Sequence, residues 1–253
     1  MSVLTDNKQR MSRRLCLLCL KSNVWEKIQD KNAESIFSEC YFMYKKYNDD
    51  KNLLDTYMSI FDDTFTVNKR RLRQFFTYMI KSDLNKNIRW KCESRIDVLD
   101  EESVKLMSQA GCIALHMGIE SRSQEVVNSL NKHINLSNIS NVFELLQKYS
   151  IRPLCSFIIG NHSDTHETLN MTSEFINEIR KKYNAKVAVS PNTPLPGTAL
   201  YNDPQKFGIS IKSNNWSDFS LMKVIIETSN LTQDEIRNYY TDIINIIDNE
   251  GDK

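Results

Sequence analysis

Residues 88–121 read IRWKCESRIDVLDEESVKLMSQAGCIALHMGIES, and this stretch decides the fold. Ile88–Cys92 is a strand-like run leading to the polar Glu93-Ser94-Arg95. Asp100-Glu101-Glu102-Ser103 then supplies acidic residues for a helix start, and Gly111 follows that helix's end. Ile113–Met117 is the next strand, ending at Gly118-Ile119-Glu120-Ser121. Strand, helix and strand in succession make a βαβ unit with parallel strands.

The alternation continues in both directions. Upstream, Lys69–Lys81 is helical, and Thr56–Phe61 is strand-like and ends at Asp62-Asp63. Ala33–Tyr47 carries Ile36, Phe37, Cys40, Tyr41 and Tyr44 at helical spacing, and Val3–Thr5 is a weak first strand. Downstream, Ser123–Leu130 and Leu136–Tyr149 read as helices, and Leu154–Ile159 as a strand ending in Gly160. His166–Tyr183 is a long helix, and Lys186–Val189 is a strand running into the proline-rich Pro191–Gly197. After Trp216 the pattern is mixed, with a final helix from about Thr232 to Asn249.

Six strands alternating with helices predict an α/β fold whose right-handed crossovers curl a parallel sheet into a full or partial barrel. Reacting groups in such barrels sit at the C-terminal ends of strands. Asp62-Asp63, Glu93-Ser94-Arg95, Gly118–Ser121 and Gly160-Asn161 all fall there. The expected division is a barrel over residues 1–215 and a C-terminal helical extension over 216–253.

A chain of 253 residues suits one large domain, and 40% hydrophobic with 26% charged residues is ordinary for a soluble globular protein. The net charge of +1 gives no global field towards nucleic acid or a membrane surface. The local basic runs, Lys69-Arg70-Arg71 with Arg73 and Arg180-Lys181-Lys182, fall in helical segments and read as solvated faces. No apolar run is long enough to span a bilayer, and no N-terminal signal segment is visible. The expectation is a cytoplasmic protein with six reduced cysteines, partnered with neither membrane nor nucleic acid. In that setting a close cysteine pair points to metal or redox chemistry.

That pair is Cys16-Leu17-Leu18-Cys19, with Ser12 four residues before Cys16. Three cysteines spaced C-x3-C-x2-C can hold three irons of a cubane cluster and leave the fourth open for a substrate. Here serine stands where the first cysteine should be. A serine alkoxide can ligate iron, but its high pKa makes it a poor substitute for a soft thiolate. Cys40, Cys92, Cys112 and Cys155 fall on a helix face or in strands and read as small buried hydrophobes.

Taken in order, several stretches resemble the radical S-adenosylmethionine superfamily, and within it the branch often fused to a cobalamin-binding domain. They are the Cys16/Cys19 loop, Phe61-Asp62-Asp63-Thr64-Phe65, residues 90–97, Ala110-Gly111-Cys112, Gly118–Ser121, Ser156–Gly160 and Pro194-Leu195-Pro196-Gly197-Thr198. The branch includes methyltransferases and the anaerobic porphyrin ring cyclase, and the likeness covers roughly residues 1–220. It implies a partial (β/α)6 barrel, TIM-like, with a 4Fe-4S cluster at its mouth. S-adenosylmethionine would chelate the open iron and be cleaved by one electron to methionine and a 5′-deoxyadenosyl radical acting on an unknown small molecule or peptide. The implied partners are an electron donor such as a flavodoxin or ferredoxin, and a separate cobalamin-binding chain.

The resemblance also implies roles for residues. Cys16 and Cys19 match the second and third cluster ligands, and Ser12 takes the place of the first. Asp62 and Asp63 match an acidic group near the amino end of S-adenosylmethionine, one of the two pointing inward; a turn or helix N-cap is the competing role. Arg95 is placed to pair with a carboxylate, and Glu120 resembles a glutamate that approaches the nucleoside or methionine group. A mutual salt bridge between Arg95 and Glu120 is the alternative. Gly160 would allow close backbone approach to adenine or ribose, or simply make a tight turn. The family's usual Leu-Pro-Gly-Glu-Thr turn after that glycine is reduced here to Glu167-Thr168. His162 and His166 have i, i+4 spacing, yet no acidic partner completes a zinc motif. Pro191–Gly197 lines a substrate opening or serves as a rigid connector. Ser12, the altered turn and the missing cobalamin domain favour a second function, a degenerate or truncated non-catalytic barrel that binds a nucleoside or a partner protein.

Overall fold

The computed structural model describes residues 31–47, 57–62 and 65–248. The weak strand at Val3–Thr5, the loop carrying Ser12, Cys16 and Cys19, and Asp63 lie outside them.

α1 (Ala33–Tyr47) precedes β1 (Met58–Ile60) and packs on α2 (Lys69–Lys81). The short α3 (Leu84–Asn87) leads to β2 (Trp90–Ser94), α4 (Glu101–Gln109) and β3 (Cys112–Glu120). Next come α5 (Gln124–Ser129), α6 (Ile139–Lys148), β4 (Arg152–Ile159), α7 (His166–Tyr183) and β5 (Lys186–Pro191). The five strands form one sheet in the order β1-β2-β3-β4-β5, every neighbour parallel. An order that never reverses lays crossovers of one hand on the same face of the sheet.

The burial pattern agrees. In β4, Pro153, Cys155, Phe157 and Ile159 are buried, while Arg152, Leu154, Ser156 and Ile158 are half-buried. Cys155, Phe157 and Ile159 join Trp90, Cys92, Leu115, Met117 and Ile119 in the core beneath the helices. The opposite face carries Lys91, Glu93, His116 and Leu154, all half-buried. Phe65, Phe75 and Phe76 surround Trp90 with ring centroids 6.0, 5.8 and 6.1 Å away. The indole Nε1 donates to the Ala110 carbonyl at 2.8 Å, so its one polar group is satisfied within this core.

Several boundaries differ from expectation because ladder partners, rather than local pattern, set strand ends. β2 begins and ends two residues later than the Ile88–Cys92 run, which takes Glu93 and Ser94 into the ladder beside His116 and Met117. β3 runs on to Glu120, pairing Gly118 with Ser156 and Glu120 with Phe157 across a register shift. The expected helix over Leu136–Tyr149 opens with a 3-10 turn at Leu136–Asn138. After α8 (Ala199–Asn202), β6 (Ile209–Ile211) and β7 (Ile226–Thr228) form an antiparallel pair around Leu200, Ile209, Ile225 and Ile226. Strands of three residues are too short to show alternation. The expected terminal helix is α9 (Gln233–Asp248), packed on β5, α7 and β7. Among the described residues, no helix is long and apolar enough to cross a membrane.

Candidate functional site

Asp62 follows β1, and its carboxylate accepts from Arg71 Nη2 at 2.9 Å. Arg71 also donates to the Phe65 carbonyl at 3.2 Å and lies over the Phe65 ring. This corrects the reading of the basic run as a solvated face: Arg71 is only 5% exposed, whereas Arg70 and Arg73 face solvent. Asn68 caps the start of α2, and the stripe Leu72, Phe75, Phe76 and Met79 turns towards the core. Arg71, beside Leu72 in the first turn, is thereby carried to the strand end.

Arg95 follows β2 and is fully engaged. Its Nε and Nη2 donate to the two Asp97 carboxylate oxygens at 3.0 and 2.7 Å, while Nη1 and Nη2 reach the carbonyls of Lys132 and His133 at 3.5 and 3.1 Å. Glu120, closing β3, is ion-paired with Lys132 Nζ, and the two side chains are only 12% and 16% exposed. Arg95 and Glu120 therefore do not pair with each other; the loop Asn131-Lys132-His133 connects them. Sequence reasoning missed this loop. Its one signal was an asparagine between two helical segments, and nothing there marked the lysine as turned inward.

Backbone strain concentrates at the same place. Of the six non-glycine residues with left-handed φ among the described residues, three lie here: Glu120, Asn131 and His133, at 67°, 58° and 50°. Each such non-glycine residue costs on the order of 1–2 kcal/mol. A Cβ on Gly118 would lie 2.6 Å from Lys132 Nζ and 2.8 Å from Glu120 Oε1. Glycine at that position leaves the room the ion pair occupies.

The ends of β4 and β5 are built differently. Gly160 has φ 74°, and a Cβ there would meet Ile236 Cγ2 of α9 at 2.9 Å. The following turn is held by Asp164, whose Oδ2 accepts from the Asn161 amide at 2.7 Å and whose Oδ1 accepts from the Thr168 hydroxyl at 3.1 Å. Burial pushes the Asp164 carboxyl up to about 6 against the lowering effect of those donors. The Asn192 amide donates to the Ile159 carbonyl at 2.8 Å and its Nδ2 reaches Asn161 Oδ1 at 3.5 Å, which ties the two strand ends together. Burial lowers the pKa of His162, whose ring stands 5.4 Å from Phe207. His166 instead meets Glu235 at 3.3 Å and the Tyr239 hydroxyl at 3.2 Å. Among the described residues, no group of three or more His, Cys, Asp or Glu gathers to hold a metal.

On the sheet face away from the helices lies a cavity of about 310 Å³, lined in part by Phe61, Lys91, Glu93, His116, Leu154 and Lys186. Glu93, His116, Leu154 and Lys186 are successive ladder partners, so they form one row across the sheet. This row lies one layer below Gly118, Ser156 and Ala188, and so below the strand-end residues. Glu93 Oε1 stands 3.6 Å from His116 Nδ1. His116 was not singled out in the sequence, although it is the polar residue in an otherwise apolar Ile113–Met117.

The four described cysteines, Cys40, Cys92, Cys112 and Cys155, are buried, as their reading as small hydrophobes predicts. Burial, with Glu39 beside it, pushes the Cys40 thiol up to about 11. Burial raises Cys155, and burial with the neighbouring Cys112 thiol raises Cys92, well above the ordinary thiol value.

Residues 45–176 match the family model of the radical SAM superfamily. An uncharacterized methyltransferase of Pyrococcus horikoshii is 24% identical over 225 residues, which are 87% of this chain and 46% of that protein. The anaerobic magnesium-protoporphyrin IX monomethyl ester cyclase of Rubrivivax gelatinosus is 21% identical over 224 residues, 87% of this chain and 38% of the cyclase. The chain thus spans less than half the length of these relatives. Among solved structures, the radical S-adenosylmethionine methyltransferase TsrM from Kitasatospora setae, with cobalamin and a 4Fe-4S cluster bound, superposes with a TM-score of 0.62 at 10% identity. That match covers 87% of this chain and 46% of TsrM. Coproporphyrinogen III oxidase from Escherichia coli, also a radical SAM enzyme, gives a TM-score of 0.54 at 13% identity over 92% of this chain and 50% of its own. These likenesses fix the fold as a partial TIM-like barrel. With a family match across just over half of the sequence, the ordered motifs and the one-sided parallel sheet find their common explanation: the chain belongs to the radical SAM superfamily.

Proposed function

We propose that the chain binds S-adenosylmethionine across its C-terminal strand ends and cleaves it reductively at a 4Fe-4S cluster held by Cys16, Cys19 and Ser12. The 5′-deoxyadenosyl radical so formed acts on a small molecule or peptide. The observation that carries this reading is the meeting of Arg95 and Glu120 at adjoining strand ends through the loop 131–133, in a chain of this family. The family implies the cluster and S-adenosylmethionine as cofactors. When bound, such a cluster supplies the electron that splits the sulfonium.

The donor set fits a cluster at two corners. Cys16 and Cys19 offer soft thiolates, and Ser12 offers a hydroxyl. The described cysteines lie buried in the core and do not supply the third sulfur. In this reading Glu120 and one of Asp62 and Asp63 bind the cationic part of the ligand. Arg95, saturated by Asp97 and two carbonyls, holds the loop in place, and Gly160 lets the backbone approach the nucleoside. The domain division is a barrel over 1–215 with an extension over 216–253 whose α9 closes the β4 end. Cobalamin, present in TsrM, would come from a separate chain or from sequence beyond the barrel, and the electron from a flavodoxin or ferredoxin.

A second reading, a non-catalytic barrel that keeps only the nucleoside or partner-binding function, is favoured by Ser12 and by the pairing of each charged strand-end residue within the chain. Asp62 pairs with Arg71, Arg95 with Asp97, and Glu120 with Lys132.

Anaerobic reconstitution with iron and sulfide separates the two. The catalytic reading requires the electron paramagnetic resonance signal of a reduced cluster, lost in Cys19→Ala, and release of 5′-deoxyadenosine that rises in Ser12→Cys. Iron uptake no greater than that of a Cys16→Ala/Cys19→Ala double variant would leave the non-catalytic reading.

A further inference from the structure

We infer that the small molecule on which this chain acts carries a carboxylate on an apolar body, and that Lys91 selects it in the cavity on the sheet face away from the helices. The inference rests on the proposed reading of the chain as an S-adenosylmethionine-cleaving protein, and adds to it the class of substrate and the residue that recognises it.

Alternation along the strands builds this cavity. Ser59 of β1 and Lys91 of β2 are ladder partners, so they share a side of the sheet, and Glu93 follows Lys91 on that side. Phe61 and Leu154 supply apolar wall, while Lys91, Glu93, His116 and Lys186 are the titratable groups of the lining. A volume of about 310 Å³ suits a small organic molecule, and a mostly apolar wall with few polar groups is how such pockets are built. Lys91 is distinguished by its company. Its half-buried ammonium stands 4.6 Å over the Tyr57 ring and donates to the Tyr57 hydroxyl at 3.4 Å. Both contacts are with a neutral phenol, which orients the cation without neutralising it. Glu93 stands instead beside His116, at 3.6 Å, and among the described residues no carboxylate comes within ion-pair distance of Lys91.

The selectivity follows from what each ligand would bring to that ammonium. A carboxylate exchanges the long phenol contact for a charge-assisted bond and supplies the missing counter-charge. An amide of the same shape offers an acceptor but leaves the charge unbalanced. An amine sets two like charges side by side, where the half-shielded surroundings strengthen the repulsion. Glu93, the next side chain on this face of β2, sets the upper limit, since a doubly charged phosphate beside Lys91 would meet a carboxylate as well. Burial of the ligand's ring against Phe61 and Leu154 adds affinity that does not discriminate among these head groups. Lys91 alone makes the choice of charge.

The test uses the full chain and four compounds that share one ring: naphthylacetate, naphthylacetamide, naphthylethylamine and naphthyl phosphate, with dissociation constants read from the naphthyl fluorescence. The acid should bind about tenfold more tightly than the amide, and the amine most weakly of all. The phosphate should bind no more tightly than the acid. In Lys91→Met the acid and amide should bind alike, and in Lys91→Arg the preference should return. Lys86→Met, which removes an exposed lysine of α3, should keep it. Equal binding of acid and amide to the wild type, a preference that survives in Lys91→Met, or failure of the acid to bind overturns the assignment. Tighter binding of the phosphate overturns the carboxylate class. S-adenosylmethionine, titrated calorimetrically into the same samples, separates this inference from the reading beneath it. Its binding without any acid preference overturns the role of Lys91 and leaves the proposed function standing. An acid preference that depends on Lys91, in a chain that does not bind S-adenosylmethionine, keeps the carboxylate site and overturns the proposed function. The wild-type comparison decides even where Lys91→Met does not fold.

Discussion

β3 and β4 end in the same backbone turn and use it for opposite purposes. Glu120 closes β3 at φ 67° and Gly160 closes β4 at φ 74°. At β4 the conformation carries no side-chain penalty, and Ile236 of α9 fills the space a Cβ would need. At β3 a glutamate bears the strained turn, and the glycine sits two residues earlier, where it makes room for Lys132. One strand end is sealed by apolar packing. The other is kept open to charge, at an energetic disadvantage the rest of the loop must hold in place.

The largest expected break in this comparison is Gly160→Ala. A left-handed alanine pressed against Ile236 should cost about 4 kcal/mol, combining backbone strain with overpacking, measured by urea unfolding. A loss below about 1 kcal/mol would mean that α9 yields, and that the β4 end is not sealed as described. Glu120→Ala should come next, at about 3 kcal/mol, because it leaves Lys132 nearly buried and unpaired. A double-mutant cycle with Lys132→Met should recover much of that loss; strict additivity would show the two side chains to be uncoupled.

A third effect tests what holds the turn after Gly160. The Asp164 carboxyl lies at about 6 in the folded chain against 3.8 ordinarily, so the folded state holds the extra proton between those values. Its contribution is most favourable on the acid side and is lost as pH rises, by about 2 kcal/mol between pH 4 and pH 6. Asp164→Asn should flatten that slope in pH-dependent denaturation curves, and an unchanged slope would assign it to another group. The smallest effect sharpens the contrast at β3: Glu120→Gly should be about 1 kcal/mol more stable than Glu120→Ala, since it relieves the left-handed strain while losing the same pair. Equal stability of the two would remove strain from the account of that strand end.

The sheet was legible because apolar strand runs alternate with helical spacing along the chain, most plainly in the unit where Asp100-Glu101-Glu102 starts a helix, Gly111 follows its end and an apolar strand comes next. The partners of the site residues were not. Arg71 sits among basic residues whose charge reads as solvated, and only the orientation of α2 carries it under β1 to Asp62. Lys132 lies in a loop whose inward turn depends on Arg95, a residue of another strand end. Glu93 moved from the strand-end group into the row with His116 because β2 ends with its neighbours in the ladder, two residues beyond its own apolar run. Charged residues could thus be named from motif order, while their pairing is a property of elements far apart in the chain.

The four core cysteines have a practical consequence. Of six in the chain, Cys40, Cys92, Cys112 and Cys155 are shielded from bulky reagents. Whatever sulfhydryl reacts quickly with a colorimetric disulfide in the native protein therefore belongs to Cys16 or Cys19. An absorbance titration before and after loading with iron and sulfide therefore tests the proposed cluster loop without any measurement of iron: loss of a fast-reacting sulfhydryl on loading supports it, and an unchanged count counts against it.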